Sequence, residues 1–207
     1  MMTETEQPQI YLITPPAPDL NWYSTTLAPV LDAHEVACVR LALAGGDEVQ
    51  IARAADACRE VAHARDVALV IDSHLMLVDR LGLDGVHLLD GAHSVRAARK
   101  ELGPDPIIGA FCGTSKHVGV NAGEAGADYV SFGPVGHSDL GDGTFAGANL
   151  FGWWSEMIEL PVVAEGLLDP GLIGTLAPVT DFFAIGTEIW NSDDPVAALG
   201  DLIAVFS

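Results

Sequence analysis

Four charged side chains fall where apolar runs end. Arg40 lies near the end of Glu35 to Leu41, Asp72 just past Val67 to Ile71, Asp90 two residues past Gly85 to Leu88, and Glu165 directly after Leu160 to Ala164. Asp72 and Asp90 are hard oxygen donors, of the kind Mg²⁺ takes one or two at a time beside a substrate phosphate. Each is equally at home as a helix cap or a turn residue. Arg40 can hold a phosphate or pair with a neighbouring carboxylate. Glu165 ends an otherwise apolar strand, so it either points into a site, as a candidate general base, or finds a buried partner. His137, in a loop, can act as an acid or base near neutral pH, or is simply solvated. Gly166, Gly186 and Thr187 follow two later strands, where backbone N–H groups can cradle a phosphate. Tight turns would explain the two glycines equally well.

These residues need elements that bring strand ends together. Gln9 to Thr14, Glu35 to Leu41, Val67 to Ile71, Gly85 to Leu88, Ile107 to Phe111, Asp128 to Phe132, Leu160 to Ala164 and Asp181 to Ile185 read as eight strands. VALVI at Val67 to Ile71 is a continuous apolar run, which suits a parallel strand buried on both faces. Helical patterns separate the strands, several opened by a capping residue: Asp47, Ser94 and Asp194. Leu20 to Asp32 reads as the first helix, with Pro29 inside its pattern. Strands alternating with helices at this spacing predict an α/β fold, a single-domain (β/α)8 TIM barrel over residues 1–207, with a flexible start at 1–8. A doubly wound open sheet is the alternative, but no GxGxxG follows the first strand. In a barrel the loops after the strands share one face, and every residue named above would sit there.

Composition narrows the ligand. The 207 residues carry a net charge of -20 with only nine Lys plus Arg. Nucleic acid and anionic membranes are bound mainly through cationic patches, so neither is expected as a partner. A small phosphorylated ligand remains possible, held through backbone N–H groups. The three cysteines are widely spaced and form no CxxC pair, which gives no zinc or redox signal. The opening MMTETEQPQ has neither a basic nor an apolar signal region, so the cytoplasm is the expected location.

Particular phrases carry a resemblance. YLIT at Tyr11 to Thr14, Val67 to Leu88 with its GVHL, GADYVSFGPV at Gly126 to Val135, Pro161 to Gly166 and Phe182 to Ile189 occur in that order. Together they resemble the thiamine phosphate synthase and TenI family, over nearly the whole chain, with the helices most divergent. The resemblance implies a barrel that joins hydroxymethylpyrimidine diphosphate to thiazole phosphate with Mg²⁺, releasing diphosphate. The TenI branch instead isomerises the thiazole without transfer.

The family's site residues map unevenly. Its Gln, Arg and Lys that hold the diphosphate correspond to Arg40, Ala42 and Ala44. Its metal-binding Asn-Asp pair corresponds to Asp72 and Ser73, and its second metal Asp to Ala92, with Asp90 two residues earlier. Its Thr-x-Thr-Lys segment becomes Ser138, Leu140 and Gly141, leaving the Ser138 hydroxyl to position a diphosphate. Its glycine pair becomes Gly166 and Leu167, and its last Ser position is Thr187, after Gly186. Three functions follow from the resemblance: a transferase using Asp72 and Asp90 for Mg²⁺ and Arg40 and Ser138 for the diphosphate; a metal-free isomerase using Glu165 or His137; or a regulatory barrel that binds a phosphorylated ligand without turnover. A homo-oligomer is left open.

Overall fold

The computed structural model describes residues 7–136 and 144–206. Eight parallel strands close into a barrel in sequence order. They are β1 (Gln9–Ile13), β2 (Cys38–Leu41), β3 (Ala68–Asp72), β4 (Gly85–Leu88), β5 (Ile107–Phe111), β6 (Tyr129–Phe132), β7 (Val162–Glu165) and β8 (Phe182–Ile185). The helices are α1 (Leu20–Trp22), α2 (Ala28–Ala33), α3 (Glu48–His63), α4 (Leu75–Leu81), α5 (Val95–Leu102), α6 (Lys116–Ala125), α7 (Ala148–Met157), α8 (Pro170–Leu176), α9 (Thr187–Trp190) and α10 (Pro195–Ile203). The expected (β/α)8 barrel is thus the observed architecture, and the open sheet is not.

Local chemistry explains the boundaries. Asp47 opens α3 with a full capping box, its carboxylate accepting from Gln50 N–H. Asp169 and Asp194 cap α8 and α10 in the same sense, each ahead of a proline at the first turn. Pro29 is accommodated because a π-helical segment, Tyr23–Leu27, joins α1 to α2, and Ala28 N–H bonds Tyr23 O. That wider turn leaves the proline in the first turn of α2, where no N–H is needed. Ser94 differs from expectation. Its hydroxyl donates to Asp90 at 2.6 Å instead of capping α5.

The end of the barrel where the strands begin is fastened by a repeated device. Asp84, Asp128 and Asp181 each stand just before an even-numbered strand. Their carboxylates accept from Leu69 N–H at 2.7 Å, Ile108 N–H at 2.7 Å and Val162 N–H at 2.8 Å. Each aspartate's own N–H donates to the carbonyl of that same residue. The starts of β3, β5 and β7 are thereby each clamped twice to the next strand, which fixes the register from which the opposite end is built.

Side-chain alternation along each strand divides the core in two. Outward residues such as Leu12, Val39, Leu69, Ile71 and Val86 pack beneath the helices. Inward residues Tyr11, Cys38, Val70, Tyr129, Val163 and Ala184 fill the barrel. Glycine makes room for the aromatic among them. A Cβ on Gly109 would lie 2.0 Å from the Tyr129 ring.

Candidate functional site

On β2, β3, β4, β6, β7 and β8, one alternation further toward the C-terminal mouth, the inward positions change character. Cys38 gives way to Arg40, Val70 to Asp72, Tyr129 to Ser131, Val163 to Glu165 and Ala184 to Gly186. The same step on β4 leads from Gly85 to His87. An apolar plug is thus topped by a polar layer built from strands whose residues are far apart in sequence.

Arg40 is the centre of that layer. Its guanidinium is almost wholly buried and donates from Nη1 to Glu165 Oε2 at 2.8 Å. The same nitrogen lies 3.0 Å from His87 Nε2, and Nε lies 3.3 Å from Asp72 Oδ1. Burial disfavours its charge, but Glu165, Tyr11 and Asp72 outweigh that and hold it above its ordinary value. For Asp72, burial dominates and pushes the acid up to about 6, against the pull of Arg40 and with the push of Glu165. One cation thus faces two carboxylates.

Because a guanidinium only donates, His87 Nε2 accepts, and the imidazole proton sits on Nδ1. Nδ1 donates to the Tyr129 hydroxyl at 2.8 Å, which lies 2.8 Å from the Tyr11 hydroxyl. His87 is held neutral by burial first and by the Arg40 charge second. Both tyrosines are pushed up mainly by burial. Below Arg40, the chain His87–Tyr129–Tyr11 is a neutral, hydrogen-bonded buttress under the charged groups. His87, Tyr11 and Tyr129 were legible as strand residues, but nothing in the spacing joined them to Arg40.

Arg40, Asp72 and Glu165 are brought together. Asp72 is the last residue of β3 and faces inward, so it does not cap α4. Asp90 sits apart, exposed in the turn after β4 and accepting from Ser94. Gly166 follows β7 with φ +91°, and Leu167 beside it also takes a left-handed φ of 58°. Gly186 follows β8, and Thr187 is exposed at the start of α9. His137 and Ser138 lie outside the described residues. The sequence reading passed over Glu188. Its carboxylate accepts from Leu168 N–H at 3.1 Å and from Gly186 N–H at 2.8 Å. The only signal was an acid one residue past Thr187.

Against this geometry, a family model described as thiamine monophosphate synthase matches residues 10–178. The chain belongs to the thiamine monophosphate synthase family. A thiamine-phosphate synthase of Rhodospirillum centenum is 40% identical over 202 residues, covering 93% of this chain and 95% of that one. A second, from Erythrobacter litoralis, is 36% identical over 203 residues, covering 95% of each. Among solved structures, the thiamine phosphate pyrophosphorylase of Pyrococcus furiosus superposes with a TM-score of 0.82 at 20% identity, covering 96% of this chain and 95% of that one. That likeness is one of fold. In the polar layer of this mouth, Arg40 is paired with Glu165 and Asp72. Among the described residues, no group of three or more His, Cys, Asp or Glu is gathered where it could hold a metal ion. No helix among them is long and apolar enough to cross a membrane.

Proposed function

We propose that this chain works in thiamine biosynthesis as a thiamine-phosphate-synthase-type barrel, taking a pyrimidine diphosphate and a thiazole acceptor at its C-terminal mouth. The observation that carries the reading is 40% identity over 202 residues with a thiamine-phosphate synthase. The polar layer at the strand ends, on top of an apolar plug, supports the mouth as the binding face.

The same layer argues for slow transfer. Charge develops on the diphosphate oxygens as the bond to the pyrimidine breaks, and cations or a metal must meet it. Arg40 is already neutralised by Glu165 and Asp72. Mg²⁺, which the family resemblance implies, finds a poor fit in the described residues. Asp72 Oδ1 is buried with no hydrogen-bond partner, but it faces Arg40 Nε 3.3 Å away, and a second cation there would be repelled. Asp90 is engaged by Ser94. What these side chains offer is a place to hold and move a proton. Asp72, titrating at about 6 beside Glu165, favours a second reading, a TenI-type isomerisation without metal.

Incubation with pyrimidine diphosphate and thiazole phosphate, with and without Mg²⁺, and following diphosphate release, tests the first reading. Slow release under either condition is expected. Rapid, strictly Mg²⁺-dependent release would overturn the argument from Arg40, and rearrangement of the thiazole alone would favour the second reading.

A further inference from the structure

In (β/α)8 barrels the loops after β7 and β8 are the usual phosphate site, with backbone N–H groups turned toward the anion. Here those loops already hold one. Leu168 N–H, from the loop after β7, and Gly186 N–H, just past β8, converge on the two oxygens of Glu188. The two strands are neighbours in the barrel, paired at Glu165 and Ala184, so the segments that carry the two donors leave the sheet side by side. The backbone around them has little freedom. A Cβ on Gly166 would stand 3.0 Å from Pro134, and one on Gly186 would stand 3.1 Å from the Ile13 carbonyl. Leu167 adds an exposed apolar side chain beside the cradle, held at φ 58°.

We infer that Glu188 is a specificity-determining residue that occupies the cradle between the β7 and β8 loops as a built-in anion and selects against a ligand phosphate there. A carboxylate accepts two backbone N–H bonds in the way two phosphate oxygens would. A phosphate entering the cradle must displace it, losing both bonds, or stand beside a like charge. The subsite therefore takes the uncharged arm of a ligand, and the thiazole acceptor enters as its free alcohol and not as the phosphate ester. This naming of the substrate rests on the proposed function, whereas the rejection of phosphate by Glu188 does not.

Inorganic phosphate titrated against wild type and Glu188→Ala, followed by the amide resonances of Gly186 and Leu168, tests the rejection directly. The variant is expected to show saturable shifts at both amides, at phosphate concentrations at least about tenfold below any that move them in wild type. Equal response in the two proteins, or none in the variant, would overturn the inference. Glu188→Gln keeps one acceptor, so it serves if the alanine variant does not fold. It is expected to gain phosphate response at Gly186 or Leu168, and the absence of any gain would count against the inference. Calorimetry with the thiazole alcohol and its phosphate then tests the substrate. Wild type is expected to prefer the alcohol by about tenfold, and Glu188→Ala to reverse that order. Tighter binding of the phosphate ester by wild type would overturn the inference while leaving the proposed function standing. If neither thiazole binds either protein, the proposed function fails and takes the substrate assignment with it, and the phosphate titration still decides the role of Glu188.

Discussion

Arg40 and Glu165, 125 residues apart in sequence, meet at 2.8 Å inside the barrel. The contact joins β2 to β7, two strands that are not neighbours in the sheet, across the top of the apolar plug. Arg40, a candidate phosphate ligand by its place at a strand end, here holds the barrel's own acids. Truncating it exposes what it holds. Arg40→Ala leaves two part-buried carboxylates without their cation and is expected to cost about 3–5 kcal/mol in chemical denaturation. Arg40→Lys keeps a charge but not the fork that serves Glu165, His87 and Asp72 together, and is expected to fall between the two. Wild-type stability in Arg40→Ala would mean that the pairing contributes nothing.

Asp72 sets a pH dependence whose sign follows from its environment. Burial raises its acid from 3.8 to about 6, so between those values the folded chain binds more protons than the unfolded one. This group's contribution to stability therefore falls as pH rises through that window and levels off above it. Urea midpoints measured from pH 4 to 7 are expected to show a declining component that Asp72→Asn removes. An Asp72→Asn profile parallel to wild type would contradict the assignment.

The buttress beneath the charges can be tested without touching them. Tyr129→Phe removes the acceptor of His87 Nδ1–H and the partner of Tyr11, and is expected to cost about 1–3 kcal/mol. Gly109→Ala drives a methyl into the same ring and is expected to cost about as much through overpacking. Thermal or urea unfolding measures both.

At the opposite end, Asp181→Ala removes the clamp on Val162 N–H and is expected to lose about 1–3 kcal/mol of stability while leaving ligand affinity unchanged. Loss of affinity in a folded Asp181→Ala protein would mean that the two ends of the barrel are not separable.

Much of this architecture could be read from the chain. Gly85–Leu88 and Ile107–Phe111 were legible to the residue, because Asp84-Gly85 and Pro106 mark where each short, mostly apolar run begins. The second strand was read too long. Glu35 to Ala37 continues its pattern, but only from Cys38 does a partner stand opposite, at Tyr11. The four-residue α9 was invisible, since one turn has no periodicity, and Glu188 was overlooked with it. That Arg40, Asp72 and Glu165 lie at strand ends was readable. That they bind one another was not, because closure of the barrel decides which strand ends face each other.

The most direct measurement is calorimetric titration of the full chain with the pyrimidine diphosphate and with the thiazole acceptor in both forms, each with Mg²⁺ and with a chelator. The account predicts saturable binding at the mouth, with thiazole affinity unaffected by chelation. No heat from any of these ligands in either condition would contradict it.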